Sequence, residues 1–284
     1  MTESQNVRVG LTARPENVAL IREVLAGLDD AVDLGGTLED VKAAVSEAAN
    51  NVVVHAYGGD DGPMEMEISL DADELEVVVR DYGAGIGPRV VDDSSPGRGI
   101  GLVVIGALAT SWDLRAHALP GVEVAMRFAT PARKVPPVPA AEPLEEALVG
   151  EDELAITISP ASLSAAILNR FITGAAARAG FSIDRVSDAQ LVVDAVAAAL
   201  ATSLLADRLH LALGIGPGRL LLRLGPFRAG GSASVLDGAA VAELGSIVER
   251  LVDYSSTDRS GTSELLTLVM LDRRGEESPN DIGG

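Results

Sequence analysis

At 284 residues the chain has room for two ordinary domains. It is 47% hydrophobic but only 3% aromatic, so its core must be built from Ala, Val, Leu and Ile, and disorder is not the default class. A formal charge of −20 disfavours direct binding to a nucleic-acid backbone, and the lack of cysteine excludes disulfides, thiol catalysis and cysteine-type zinc sites.

Met1–Gly10 lacks the basic-then-apolar pattern of a secretory leader. The longest apolar stretch, Leu191–Ala206, carries Asp194 and is short for a bilayer span, so it reads as a buried helix. The expectation is a soluble, cytoplasmic protein.

In chain order, Val7–Thr12 reads as a strand and Pro15–Leu28 as a helix with proline in its first turn. Thr37 can cap a helix that starts near Leu38, with Asp40 three residues on as a weak capping box. Val41, Val45, Ala48 and Val52 make an apolar stripe on that helix, and beside it Glu47 and Asn51 stand one turn apart. A carboxylate able to take a proton and an amide oxygen able to hold a hard cation thus share one face. Asn50 points away from Asn51 and is read as structural.

Met64–Leu70 and Leu75–Arg80 read as strands joined by the turn Asp71–Glu74. The second of these ends in Asp81-Tyr82-Gly83-Ala84-Gly85. Glycines there permit positive φ and close approach of a ligand, and an Asp at the strand mouth can accept a hydrogen bond from an exocyclic amine such as that of adenine. Next comes Gly97-Arg98-Gly99-Ile100-Gly101, opening an apolar helix expected over Leu102–Trp112; free N–H groups at a helix start attract phosphate. Strands Leu114–Ala118 and Val122–Phe128 follow, turned by Pro120-Gly121.

The order acid-x-x-x-Asn, Asp-x-Gly-x-Gly, then Gly-x-Gly before a helix resembles the GHKL (histidine kinase-like) ATPase superfamily. Ser46-Glu47-Ala48-Ala49-Asn50-Asn51-Val52-Val53-Val54-His55-Ala56-Tyr57 is most similar to the anti-sigma factor serine/threonine kinases. The resemblance covers roughly residues 6–129. It implies an α+β fold of Bergerat type, a two-layer sandwich of a mixed sheet with helices on one face, binding ATP and Mg. Glu47 would be the catalytic base and Asn51 the Mg-holding residue. Asp81, Gly83 and Gly85 would lie on the adenine side, Gly99 and Gly101 on the phosphate side. The implied activity is an ATP-dependent serine/threonine kinase that regulates transcription by partner switching, with an anti-sigma antagonist protein and a sigma factor as partners. The alternative is a non-catalytic ATP-sensing protein-binding module. Two departures stand out: Gly121-Val122 replaces the family's Gly-Thr, and the lid segment Gly87–Pro96 is short, with Arg89 its only basic residue. A sensor histidine kinase fits poorly, because none of His55, His117 and His210 lies in a dimerisation helix upstream of the ATPase unit. His55 is expected to pack or cap, and Trp112 and Tyr254 to anchor the core near the ends of equivalent helices.

The expected organisation is an ATP-binding domain over 1–130, a proline-rich linker over 131–150, a degenerate ATPase-like copy over 151–275 and a loose tail over 276–284. In the second half Leu154–Ser159, Asp188–Ala206, Leu220–Arg223, Val241–Val252 and Glu264–Leu271 echo elements of the first. Matching Asp40 to Asp188 sets Ala195 and Ala199 against Glu47 and Asn51. Matching Arg80 to Arg223 sets Leu224 against Asp81, with Gly261-Thr262 opposite Gly121-Val122. Kinases of the resembled family act as homodimers, so the second copy is expected to dock on the first as an intramolecular pseudo-dimer.

Overall fold

The computed structural model describes residues 5–83, 100–116, 120–132, 154–237, 240–241 and 245–272. The expected linker lies almost wholly outside the described residues, and the expected tail entirely so. The first half contains β1 (Gln5–Thr12), α1 (Pro15–Val32), α2 (Leu38–His55), β2 (Pro63–Leu70), β3 (Glu74–Asp81), α3 (Ile100–Leu108), β4 (Ser111–Ala116) and β5 (Val122–Ala129). The second contains β6 (Leu154–Ser159), a 3₁₀ turn, α4 (Ser164–Arg178), α5 (Ile183–Ser203), β7 (Leu209–Gly216), β8 (Arg219–Arg228), α6 (Gly231–Asp237), β9 (Ala240–Val241), β10 (Gly245–Ser246), α7 (Ile247–Leu251), β11 (Tyr254–Ser260) and β12 (Ser263–Leu271).

Ten strands form one sheet in the order β11-β12-β8-β7-β6-β1-β2-β3-β5-β4. Every pairing between them is antiparallel, so the sheet is not mixed as expected. Hairpins join β2 to β3, with Asp71 N–H to Glu74 C=O at 2.9 Å, and likewise β4 to β5, β7 to β8 and β11 to β12. The helix pairs α1–α2 and α4–α5 return the chain antiparallel between β1 and β2 and between β6 and β7. Alternating burial along β1, β2 and β3 puts one face under the helices, and a single buried apolar cluster runs through both halves. The opposite face of the first half is charged. Arg80 reaches Glu67 at 2.8 Å and Glu123 at 2.7 Å, tying β2, β3 and β5 together where β3 ends.

The strand order reads the same from either end, with β1 and β6 at the centre, where Val9 faces Ile156. The helices follow suit: α1 lies on α4, with α2 and α5 outside them. Contacts across this junction are reciprocal. A methyl group on Gly27 of α1 would come within 2.5 Å of Ile167 Cα, and one on Gly174 of α4 within 3.3 Å of Leu20 and 3.0 Å of Glu23. These glycines let the two helix backbones close up. The Arg170–Asp30 pair at 2.7 Å joins the halves but is half exposed and so contributes little by itself. Gly27→Val is therefore expected to lower stability by about 1–3 kcal/mol through overpacking, read as a fall in melting temperature. An unchanged melting temperature would contradict so close a helix junction.

Several expectations need correction. Thr37 does not cap α2; its backbone is already helical and its hydroxyl donates to Ala129 C=O at 3.3 Å, at the end of β5. The helix after the glycines stops at Leu108, and Trp112 lies in edge strand β4, 38% exposed. Tyr254 likewise opens edge strand β11 at 58% exposure, so neither ring anchors a core. No helix spans Val241–Val252: Ser246 accepts from Glu249 N–H at 3.3 Å and starts α7 only there. His55 is exposed in the last turn of α2 rather than packed. Among the described residues one helix, α5, is long and apolar enough to cross a membrane, longer than the apolar stretch suggested. Its inner face is spent on the core, where Ala189, Val192, Val193, Val196 and Leu200 are buried.

The ladders also revise how the halves correspond. Gly10 faces Glu65 and Glu65 faces Arg80; Thr157 faces His210 and His210 faces Gly225. With β1 and β6 superposed on their buried residues, Gly225 answers to Arg80, and Pro226 rather than Leu224 answers to Asp81. The rung that answers to Glu123 falls at the bulge between Glu264 and Leu266, which leaves Gly261-Thr262 farther out, in the β11–β12 turn. The helix matching stands. Val41, Ala44, Val45, Ala48 and Val52 of α2 and Ala189, Val192, Val193, Val196 and Leu200 of α5 have the same burial, so Ala195 and Ala199 answer to Glu47 and Asn51.

His210 sits on the open face, 2.7 Å from Thr157 through Nδ1, with Nε2 buried. Burial, helped by the charge of Arg208, pushes its pKa down to about 4. The folded state therefore holds a neutral ring while the unfolded chain binds a proton below about pH 6.5. This contribution to stability is full above pH 6.5 and is lost as pH falls toward 4. His210→Gln is expected to flatten the decline in melting temperature between pH 7 and 5.5; an equally steep decline in the variant would contradict the assignment.

Candidate nucleotide site

The site grows from the outer face of α2. Val41, Val45, Ala48 and Val52 bury one stripe of the helix, which leaves Glu47 and Asn51 half-buried on the flank that meets α3. Asn50 is exposed and takes no part. The first turn of α3 presses onto both side chains. A methyl group on Gly101 would stand 3.1 Å from Glu47 Oε2 and 3.2 and 3.3 Å from the Asn51 amide atoms. Glycine is thus the residue that lets a helix start come this close to the acid and the amide. Ile105, fully buried, seats the rest of α3.

The other end of α2 meets the end of β3. Asp81 is 7% exposed and accepts a hydrogen bond from Gly83 N–H at 2.9 Å, which curls the chain back after the strand. A methyl group on Gly83 would lie 2.2 Å from Ala56 C=O, so the turn packs directly on the α2 terminus. Gly121, at φ +135°, completes the wall: a Cβ there would fall 2.0 Å from Asp81 C=O. Gly121 thus has a place that only glycine can fill, while the half-buried Val122 beside it has no hydroxyl to offer.

Glu47, Asn51 and Gly101 therefore come together, and Asp81 and Gly83 lie beyond them along α2. Gly85, Gly99, Arg98 and the lid segment with Arg89, Ser94 and Ser95 lie outside the described residues. Sequence reasoning missed Tyr57 and the steric role of Gly121. The Pro120-Gly121 turn signal marked the position, but only the fold shows what the glycine faces. Among the described residues no cluster of three His, Cys, Asp or Glu side chains could hold a metal unaided. An Mg ion here would need oxygens from a ligand, which suits Mg, since it is commonly held by one or two protein groups plus phosphates. The Asn51 amide is a hard-oxygen donor of that kind.

Known proteins resemble this half of the chain. The histidine kinase-like ATPase domain family matches residues 11–128. The serine-protein kinase RsbW of Bacillus mycoides (strain KBAB4) is 31% identical over 121 residues, covering 38% of this chain and 76% of that protein. The serine-protein kinase RsbW of Bacillus pumilus (strain SAFR-032) is 33% identical over 137 residues, covering 42% of this chain and 83% of that protein. Crystal form III of TP0453 overlaps 95% of this chain and 92% of its own at 10% identity with a TM-score of 0.33, too slight a likeness to bear on fold or function. The chain belongs to the GHKL (histidine kinase-like) ATPase superfamily, in its anti-sigma factor kinase family. Its first half is a kinase-like ATPase domain, and membership implies that it binds ATP.

Proposed function

We propose that the protein is an ATP-dependent serine/threonine kinase of the anti-sigma type, acting on a small antagonist protein and releasing or holding a sigma factor in consequence. The observation that carries this reading is the contact of Gly101, at the start of α3, with both Glu47 and Asn51. It sets a proton acceptor and a cation-binding oxygen against the place where a helix start favours phosphate.

In this reading Asp81 accepts a hydrogen bond from the adenine 6-amine, and the turn at Gly83 gives the base room, with Gly85 assigned to the adenine side by resemblance. Asn51 would hold Mg²⁺ on the phosphates, which when bound offsets their charge as it builds during transfer. Glu47 accepts the proton of the acceptor hydroxyl as its oxygen bonds to the γ-phosphorus and the bond to ADP breaks. The α3 start and Gly99 stabilise charge on the transferring group. Labelled MgATP and an antagonist protein with an acceptor serine test the reading: transfer is expected from the wild type, and none would end it.

The second half serves as a nucleotide-free copy that docks on the first. Ala195 and Ala199 in place of the acid and amide, both buried, and Pro226 in place of Asp81 support this. Val235 and Val248, fully buried in α6 and α7, belong to the helices that pack on α5 there. A second reading, an ATP-sensing module without transfer, draws support from Val122 in place of threonine. ATP bound but never turned over with antagonist present would select it.

A further inference from the structure

Tyr57 lies just past α2, at the end of the motif that carries the family resemblance, where the sequence alone assigned it no role. Its hydroxyl does two jobs. It accepts a hydrogen bond from Tyr82 N–H at 2.9 Å, and it donates one to Pro63 C=O. The first partner directly follows Asp81, and the second opens β2. The ring lies flat against the backbone at Gly62, where a methyl group would meet it at 2.3 Å. Burial raises the phenol's pKa, and the nearby Asp81 charge adds to this against the opposing Tyr82 N–H, so the hydroxyl keeps the proton it gives to Pro63.

The molecule contains its own comparison. The residue of the second half that answers to Tyr57 is Leu205, whose side chain is 51% exposed. There the same two segments are joined through backbone groups, by Leu205 N–H to Pro226 C=O at 3.0 Å and the Leu204–Phe227 bridge. The fold therefore closes this corner without a tyrosine. The half with an aspartate at this position, Asp81 at the end of β3, has the hydroxyl; the half with Pro226, inside β8, does not.

We infer that Tyr57 is a positioning residue for base recognition: its hydroxyl fixes the Asp81-Tyr82-Gly83 backbone, and with it the carboxylate that meets the adenine amine. A carboxylate with one oxygen committed to Gly83 N–H has its second to offer a ligand, and that offer discriminates only if the backbone beneath it is held. The inference rests on the proposed nucleotide site.

The test uses the full chain with Tyr57→Phe, which keeps the ring and removes only the oxygen, and Tyr57→Leu, the side chain of the second half. Binding of MgATP and of inosine triphosphate, which carries a carbonyl in place of the 6-amine, is measured together with melting temperature. In Tyr57→Phe, ATP affinity is expected to fall about five- to tenfold, the loss of roughly one hydrogen bond's worth of order. Inosine triphosphate affinity should hardly change, so the preference for ATP narrows, and Tyr57→Leu should narrow it at least as far. Unchanged ATP affinity in Tyr57→Phe would overturn the inference, as would equal losses for both nucleotides in step with a lower melting temperature, the mark of a merely structural role. A wild type that bound neither nucleotide would sink the site reading itself, and the inference with it.

Discussion

Replacing Glu47 with glutamine is expected to cut phosphoryl transfer to an antagonist serine by roughly 10²–10⁴-fold, the usual contribution of a positioned general base. ATP affinity should stay within about threefold of wild type, because glutamine keeps the shape of the side chain packed against Gly101 and the contribution at issue is made in the transition state. The half-buried setting beside α3 is what makes the residue suited to the role: near enough to a helix start to meet a phosphate, open enough to admit a hydroxyl. Single-turnover transfer with labelled ATP checks it, with binding measured in parallel. Equal transfer by variant and wild type would remove Glu47 from the reaction. Loss of binding along with transfer would instead make it a ligand-holding group.

The second large effect is expected at Asp81. Asp81→Asn should weaken ATP binding by about 10–100-fold, since a hydrogen bond to a charged acceptor contributes about 1.5–3 kcal/mol. Asparagine can still accept from Gly83 N–H through its oxygen, so the turn should survive and the fold with it. What is lost is the second charged oxygen, replaced by an NH₂ that meets the adenine amine donor to donor. Calorimetry on the variant at unchanged melting temperature gives the clean reading. Undiminished ATP affinity would move adenine recognition away from the strand end.

The legible part of this protein was the part governed by short-range rules. Strand alternation located β1, β2, β3 and β5 nearly to the residue, and the spacing of Glu47 and Asn51 on an apolar-striped helix put them on one flank, where the structure has them. The helix ending at Leu108 was overrun because Ala109 and Thr110 do not punctuate as strongly as glycine or proline, and a strand begins at Ser111 at once. Thr37 had the residue type of a cap but sits beside the end of β5, whose carbonyl claims its hydroxyl; only tertiary contact decides that competition. The echo of the first half in the second was visible in apolar pattern, yet the strand register was not. An arginine match set Arg80 against Arg223, and a shift of two residues keeps every side chain on its own face, so alternation cannot detect it. The ladder settles it through His210 and Gly225.

The junction between the halves was anticipated as docking, but not its form. Strand β6 continues the sheet of β1, and Gly27 and Gly174 close α1 onto α4. Nothing in local sequence distinguishes a helix glycine that merely weakens its helix from one that admits a neighbouring backbone. With the second half silent, as proposed, one competent site per molecule is the expected stoichiometry.

Calorimetric titration of the intact chain with MgATP tests the whole account most directly. One nucleotide per 284-residue chain is the predicted end point, held by the half that contains Glu47, Asn51 and Asp81. No heat at saturating nucleotide would contradict the site, and a titration closing at two would contradict the silent second half.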